Sequence, residues 1–187
     1  MNSKILLNHL IKIKNILPVK KIHKHNNEIC LFIDYKDLFF TLTFLKKFCL
    51  SQFSILTSIT AVDYLNKKHR FELIYSLLSI RFNNRLNLKV CLNELTNVCS
   101  CESIYSTANW FECEIFDMYG IFFFNHSNLK RILTDYGFEG YPLRKDFPLS
   151  GYVEVKYDEK NKKVVNEYLE LTQEYRVFDF QTPWKNN

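Results

Sequence analysis

The sequence predicts a single compact α+β domain, in which helices pack on a mainly antiparallel sheet, followed by an extended C-terminal tail. Hydrophobic residues make up 47% of the 187 residues and charged residues 24%, which is typical of a folded globular chain. Three neighbouring segments are rich in β-branched and aromatic residues, whereas two others repeat apolar residues every three or four positions. All four glycines fall between Gly120 and Gly151, where the chain becomes irregular.

The N-terminal segment from Met1 to Asn27 is basic. It contains six lysines and no acidic residue, whereas the rest of the chain carries 19 basic and 20 acidic side chains. An amphipathic pattern predicts a helix from about Ser3 to Leu17, which ends at Pro18 because helices usually end near a proline. We therefore divide the chain into a basic N-terminal segment (1–27), an α+β core (28–125) and an extended partner-binding tail (126–187).

The core begins with a strand, a helix and three further strands. A β-rich run is interrupted at residues 25–27 and resumes as EICLFIDY (28–35). The spacing from Lys36 to Leu50 predicts an amphipathic helix that packs on the sheet through Leu38, Phe39, Leu42, Leu45 and Cys49. The segments 53–64, 70–82 and 85–92 then predict three adjacent antiparallel strands.

A second helix is predicted from about Asn109 to Tyr119, within the stretch NWFECEIFDMYGIFF. Ser106, Thr107 and Asn109 are candidate N-caps. Apolar side chains for the core lie along one stripe, formed by Phe111, Ile115, Met118 and Phe122.

Three carboxylates on this helix raise the choice between catalysis and docking. Glu112 and Glu114 point to nearly opposite sides, while Glu114 and Asp117 share a face. A catalytic pair would need a cleft and a raised pKa on one member. A polar face that meets cations, from this chain or a partner, needs neither, and we favour that interpretation.

The segment after this helix has the composition of an interface. Lys130, Arg131, Arg144 and Lys145 alternate with Asp135, Glu139 and Asp146, among four aromatic residues. An exposed loop with intrachain salt bridges is the alternative. On the docking interpretation, reversing the charge of Arg144 or Asp146 should weaken assembly and leave the domain folded.

Motifs for metals and nucleotides are absent from the sequence. The only close pair among the six cysteines is Cys99 and Cys101, which lacks the C-x-x-C spacing of most metal sites. No G-x-G-x-x-G, P-loop or G-x-S-x-G motif occurs. We therefore expect no metal, no nucleotide and no catalytic residue in this chain.

Three stretches carry a resemblance to a known family. ANWFECEIFDMYGIFF, NHSNLKRILTDYGFEGYPLRKDFPLSGYVEVKYD and QEYRVFDFQTPW together resemble the thirty-kilodalton subunit family of respiratory complex I. ITAVDY and RFELIYSLLSIRFNNRLNLKV match it in the same order, so the likeness covers about residues 51–184.

The resemblance implies a structural subunit of a larger enzyme, the proton-pumping NADH:ubiquinone oxidoreductase. Such a subunit lies in the peripheral arm and supports the quinone-reducing module. Its implied partners are the forty-nine-kilodalton subunit and neighbouring iron-sulfur subunits, not nucleic acid. Proteins of this family carry no iron-sulfur cluster, so NADH, FMN, the clusters and ubiquinone are expected on partner subunits.

The resemblance also supplies candidate interface residues. The family helix reads Glu-Arg-Glu, two residues, then Asp, and this sequence matches it except that Cys113 replaces the arginine. The candidates that fit the family pattern or lie within it are Glu112, Glu114, Asp117, His126, Arg131, Asp135, Tyr136, Gly137, Gly140, Arg144, Lys145, Asp146 and Pro148.

Composition and resemblance together predict a location. The skew toward Asn, Lys, Ile, Phe and Tyr is typical of AT-rich coding, which favours a mitochondrially encoded chain on the matrix side of the inner membrane. A bacterial chain would lie on the cytoplasmic side. Two other functions are alternatives: a metal or redox protein using Cys91, Cys99, Cys101 and Cys113, and an RNA or membrane-surface binder using the N-terminal lysines.

Overall fold

A computed structural model describes residues 16–25, 28–178, 180 and 184. The chain forms two compact units, one ending at Phe147 and the other beginning at Pro148. The predicted helix from Ser3 to Leu17 lies almost wholly outside the described residues, and residues 16–18 form a turn. Residues 126–147 belong to the first unit, so the observed division differs from the boundary at 125 that we drew from the sequence.

The first unit is built on a five-stranded mixed sheet with the order β1-β2-β5-β4-β3. Its strands are β1 (Val19–His25), β2 (Glu28–Ile33), β3 (Ile55–Asp63), β4 (Phe71–Ser79) and β5 (Asn84–Leu92). β2 and β5 are parallel, and the other three neighbouring pairs are antiparallel. This confirms the α+β fold with a mainly antiparallel sheet. β1 pairs with β2, so part of the predicted basic segment belongs to this sheet.

One face of the sheet forms the core. On β5, Leu86, Leu88 and Val90 are buried, while Asn87 and Lys89 between them are half-buried on the other face. This is the alternation that the sequence predicts, because successive side chains of a strand point to opposite faces.

The first described helix, α1 (Leu38–Lys47), follows a 3-10 turn at Tyr35–Asp37. Leu38, Leu42 and Leu45 are fully buried and join the core, which confirms the predicted amphipathic helix. Phe39 is 40% exposed and Cys49 is exposed beyond the helix end. Their assignment to the buried face was wrong, since Thr41 and Phe44 share that face with the three leucines, while Cys49 lies beyond the helix end.

The second helix, α2 (Ala108–Tyr119), packs against β3, and a short parallel pair flanks it: β6 (Val98–Cys99) and β7 (Phe123–Phe124). Thr107 is the N-cap but makes no side-chain capping bond. Ile115 is buried and Phe111 packs against the core, whereas Phe122 is 48% exposed. The assignment of Phe122 to the core stripe was wrong because the helix ends at Tyr119 and the chain turns at Gly120.

The second unit contains a β-hairpin. β8 (Val153–Asp158) pairs antiparallel with β9 (Lys163–Tyr168). The sequence predicts the first strand, within GYVEVKYD, but not the second. Among the described residues, no helix is long and apolar enough to cross a bilayer.

Candidate partner interface

Glu112 is an internal anchor of the first unit. Its side chain is completely buried. The carboxylate accepts hydrogen bonds from the Ser100 hydroxyl at 2.6 Å, the Cys101 backbone N–H at 2.8 Å and the Cys101 thiol at 3.0 Å. Glu112 therefore ties α2 to the chain that follows β6, and it offers no surface to a partner.

His126 completes this buried cluster. Its Nδ1 accepts the Asn128 N–H at 3.1 Å, so the proton of the neutral ring lies on Nε2, which donates to the Asn109 carbonyl oxygen at 3.2 Å. The neighbouring Cys113 is 2% exposed, and its thiol donates to the Asn128 carbonyl oxygen at 3.6 Å. Cys113, which replaces the family arginine, is thus a small buried hydrogen-bond donor that holds the loop after β7 in place.

Asp117 organises the loop that follows α2 and β7. It is fully buried, and its Oδ2 accepts backbone N–H bonds from Ile132, Leu133 and Thr134 at 2.7–3.0 Å. Its Oδ1 accepts from the Thr134 hydroxyl at 2.6 Å and from Arg131 at 3.1 Å. Burial alone would raise the pKa of Asp117, but the bonds from Thr134, Leu133 and Ile132 outweigh it and lower the pKa below its usual value.

Arg131 and Arg144 both contact the Tyr141 ring. The guanidinium carbons lie 5.0 and 4.5 Å from the centroid of the Tyr141 ring, which is a cation–π distance. Arg131 also donates to the Gly140 carbonyl oxygen at 3.0 Å. These contacts close the 131–141 segment on itself.

The segment containing Arg144 covers the C-terminal end of α2. Arg144 donates to the Tyr119 carbonyl oxygen at 2.7 Å, and the Leu143 N–H donates to the Met118 carbonyl oxygen at 3.1 Å. Arg144 also forms a salt bridge with Glu94. A cation at a helix C-terminus is favourable because the exposed carbonyls carry partial negative charge.

A second ion-pair group joins the sheet to the same segment. Arg70 bonds Asp63 through two nitrogens at 2.9 and 3.0 Å and contacts Asp146 at 2.9 Å. The Lys145 N–H also donates to Asp63, at 2.9 Å. The bonds from Arg70 lower the pKa of the buried Asp63, against the opposing effect of burial. Sequence reasoning missed Asp63 and Arg70, although opposite charges at the two ends of a predicted hairpin turn were an available signal.

The candidate residues divide into an internal group and a surface group. Glu112, Asp117 and the His126 side chain are buried, and Arg131, Gly140 and Arg144 are half-buried in intrachain contacts. The loop apex is the most exposed part, since the Tyr136 side chain makes no burying contact at all. The exposed candidates are Glu114, Asp135, Tyr136, Gly137, Lys145, Asp146 and Pro148.

The hairpin of the second unit has two unlike faces. Val153, Val155 and Tyr157 lie on one face, each opposite a β9 residue: Tyr168, Asn166 and Val164. Their exposed fractions are 50–57% on β8. The other face carries mainly charged residues: Glu154, Lys156, Asp158, Lys163 and Glu167, with Val165. Sequence reasoning missed this apolar face because it did not predict β9.

The cysteines are dispersed through the first unit. Cys91 is exposed on β5, Cys99 is half-buried on β6, and Cys101 and Cys113 are buried. Burial raises the pKa of the Cys101 thiol, and the nearby Glu112 carboxylate raises it further. Within the described ranges, no three His, Cys, Asp or Glu side chains come close enough to hold a metal ion.

Comparisons with known proteins show the family to which this chain belongs. The family model described as "Respiratory-chain NADH dehydrogenase, 30 Kd subunit" matches residues 31–153. NADH dehydrogenase [ubiquinone] iron-sulfur protein 3 of Beta vulgaris is 52% identical over 169 residues, covering 89% of this chain and 87% of the relative. NADH-ubiquinone oxidoreductase subunit 9 of Prototheca wickerhamii is 48% identical over 161 residues, covering 86% of this chain and 84% of the relative.

Two solved structures share the fold. The trypsin-resistant fragment (1–134) of Nqo5 has a TM-score of 0.59 at 20% identity and covers 66% of this chain and 98% of that one. A chain of the membrane-bound sulfane sulfur reductase, an archaeal respiratory membrane complex, has a TM-score of 0.68 at 22% identity, covering 91% and 98%. The family model matches this chain, and the two relatives are 52% and 48% identical to it. This chain therefore belongs to the family of the thirty-kilodalton subunit of respiratory-chain NADH dehydrogenase, a component of the hetero-oligomeric NADH:ubiquinone oxidoreductase.

Proposed function

We propose that this chain is a non-catalytic structural subunit that docks in the peripheral arm of the oxidoreductase and supports its quinone-reducing module. The observation that carries this proposal is the apolar face of the β8–β9 hairpin. An isolated two-stranded hairpin is marginally stable in water, and this one leaves its apolar side exposed. A partner surface that covers Val153, Val155 and Tyr157 would stabilise the hairpin and bury that area.

The surface group of the first unit adds a polar contact. Asp135 and Tyr136 project at the apex of a loop whose base Asp117 holds, so little ordering entropy is lost when they bind. Aromatic side chains on a preorganised loop are typical anchors of protein interfaces. We assign Glu114, Lys145 and Asp146 to the polar surroundings of such contacts.

The partners in this proposal are the forty-nine-kilodalton subunit and the neighbouring iron-sulfur subunits, on the matrix side of the mitochondrial inner membrane. The basis is the family to which the chain belongs, together with its plant and algal relatives. The proposal includes no cofactor in this chain. The dispersed, partly buried cysteines support that part of it.

A paired substitution on β8 tests the docking proposal. Val155→Lys places a charge on the apolar face, whereas Glu154→Lys places the same side chain on the opposite face of the same strand. We expect Val155→Lys to lower incorporation into the complex, measured by co-purification in mild detergent, and Glu154→Lys to leave it unchanged. Equal incorporation of both variants would contradict the proposal.

Metal analysis of the purified full chain tests the cofactor part separately. We expect iron and zinc well below one atom per chain. A stoichiometric amount of either metal would favour the alternative of a cysteine-ligated redox protein.

A further inference from the structure

An open concavity of about 570 Å³ lies where α2 begins. Its lining includes Glu102, Ser103, Ser106, Asn109, Trp110 and Ser127, and none of its lining residues in the described part of the chain is basic. The concavity therefore presents one negative charge among neutral polar groups and an indole ring.

The Glu102 carboxylate is held in place by neutral donors. It accepts the Ser127 N–H at 3.0 Å, the Asn109 amide at 2.7 Å and the Ser127 hydroxyl at 2.8 Å. These bonds lower the pKa of Glu102 to about 2, so the group is ionised at neutral pH. No lysine or arginine of the described residues forms an ion pair with it. The carboxylate is thus charged and oriented, and its basic neighbour among the described residues is the His126 imidazole, which forms no ion pair with it.

The acceptor position that remains on Glu102 favours a lysine over an arginine. A carboxylate offers roughly four acceptor positions, and three are occupied, two of them on Oε1. Only one position remains, on Oε2, which excludes the two parallel bonds that a guanidinium prefers. A lysine ammonium has three separate donors, and the exposed hydroxyls of Ser103 and Ser106 line the same concavity as further acceptors.

Trp110 provides the apolar part of this site. The side chain is 69% exposed, so at least one face of the indole is uncovered. An indole face attracts an ammonium group and also packs against the methylene stem of a lysine. The helix dipole places about half a positive charge at the start of α2, which disfavours a bound cation. The full negative charge of Glu102 is larger and has the opposite effect.

We propose that this concavity receives the ammonium group of a lysine side chain from a neighbouring protein chain. The inference rests on the proposed function, because the lysine comes from a docked partner. Glu102 supplies the counter-charge, and Trp110 covers the stem.

A titration of the full chain tests the chemistry of the site directly. The chain has two tryptophans, so a Trp184→Phe background leaves Trp110 as the only tryptophan fluorophore. We expect saturable fluorescence changes with N-acetyl-lysine amide, and binding weaker by roughly fivefold or more with its Nε-acetylated form or in the Glu102→Gln variant. An equal response to the two probes, no saturable response, or tighter binding of N-acetyl-arginine amide would overturn the proposal.

Zero-length coupling tests the site in the assembled complex. The Glu102 carboxylate oxygen adds to the central carbon of a carbodiimide, one C=N bond becomes a single bond as its nitrogen takes a proton from water, and an O-acylisourea forms. The lysine nitrogen then attacks the acyl carbon, the C–O bond breaks, and the amide forms as a urea leaves with the displaced proton. We expect mass spectrometry to find a peptide of this chain joined at Glu102 to a lysine of another subunit.

The two proposals fail in different ways. If the chain is present in the complex but Glu102 is recovered without a link, the lysine site is wrong and the docking function stands. If the chain does not co-purify with partner subunits, the docking function is wrong, and the titration still decides whether the concavity binds an ammonium group.

Discussion

Arg144 donates a hydrogen bond of 2.7 Å from Nε to the carbonyl oxygen of Tyr119, the last residue of α2. The two residues are 25 positions apart, so the bond connects the loop segment to the end of the helix. The same side chain packs against Tyr141 and Phe71 and pairs with Glu94. Arg144 therefore contributes to the stability of the first unit, and reversing its charge should cost stability as well as weaken assembly.

Arg144→Gln should lower the free energy of unfolding by about 2–3 kcal/mol, because it removes a mostly buried cation from a helix C-terminus. It also removes the closer of the two described ion pairs of Glu94, whose other partner is Arg70 at 3.6 Å. Urea unfolding followed by circular dichroism measures this. Lys145→Gln is the matched control, since it makes the same charge change at an exposed neighbouring side chain. Equal losses in the two variants would show that the contacts of Arg144 add little.

Asp117 should make stability depend on pH in the acid range. Its folded-state pKa lies below the ordinary 3.8, so its contribution is fully present above about pH 4 and is lost as pH falls through the lowered value. Asp117→Asn should lower the free energy of unfolding by about 2–4 kcal/mol at pH 7, because buried N–H groups lose their charged acceptor. The difference from the unmodified chain should shrink below pH 4.

The measurement for Asp117 is a series of urea titrations between neutral and acid pH. Asp63 also titrates with a lowered pKa, but it is present in both proteins and cancels in the difference. Asp135→Asn is the control, because Asp135 is exposed and its carboxylate accepts only the adjacent Tyr136 N–H among the bonds described. A difference between Asp117→Asn and the unmodified chain that stays constant at low pH would contradict the assignment.

Local sequence signals predicted α1, α2 and the strands of the main sheet, but neither β9 nor what covers the faces of these elements. Helical spacing placed α2 within one residue of its observed start, and alternation on β5 identified its buried side. The roles of Glu112 and Asp117 depend on donors 11 to 17 residues away that no period encodes. The sequence does not distinguish a carboxylate that accepts from buried backbone N–H groups from one that faces solvent. The predicted acidic face therefore contained carboxylates of both kinds.

The boundary of the tail was missed for a similar reason. Glycine and proline content marks residues 120–151 as irregular, and we interpreted irregular chain as tail. The segment 131–147 is irregular yet fixed, because Asp117, Asp63 and the α2 carbonyls satisfy its backbone and side-chain donors.

Gly120→Ala should destabilise the first unit more than Gly137→Ala. Both glycines have left-handed backbone angles, with φ of 75° and 77°. A Cβ at Gly120 would lie 2.6 Å from the Tyr141 ring and 2.7 Å from Arg144, whereas a Cβ at Gly137 would meet nothing within 4 Å. We expect losses of about 1 kcal/mol at Gly137 and about 3 kcal/mol at Gly120.

The midpoint of urea unfolding for the two glycine variants measures this difference. Because backbone strain is common to both, the excess loss at Gly120 reports the close approach of the 141–144 segment to the helix end. If the two variants unfold at the same urea concentration, that segment does not pack there as the structure indicates.

Two buried tyrosines should respond in opposite ways to loss of the hydroxyl. Tyr75 is fully buried, and its hydroxyl has no hydrogen-bond partner among the described residues. Tyr105 is also buried, and its hydroxyl donates to the Phe53 carbonyl oxygen at 2.6 Å. A buried polar group without a hydrogen-bond partner destabilises the folded state, so its removal should not reduce stability. Removing one partner of a buried hydrogen bond loses the free energy of that bond.

Tyr75→Phe should therefore leave the free energy of unfolding unchanged or raise it by up to about 1 kcal/mol, while Tyr105→Phe should lower it by about 1–2 kcal/mol. Each variant removes one oxygen and keeps the ring, so packing is matched between them. Thermal and urea unfolding of both proteins gives the two values. A loss at Tyr75 as large as that at Tyr105 would mean that the Tyr75 hydroxyl is satisfied in the folded protein.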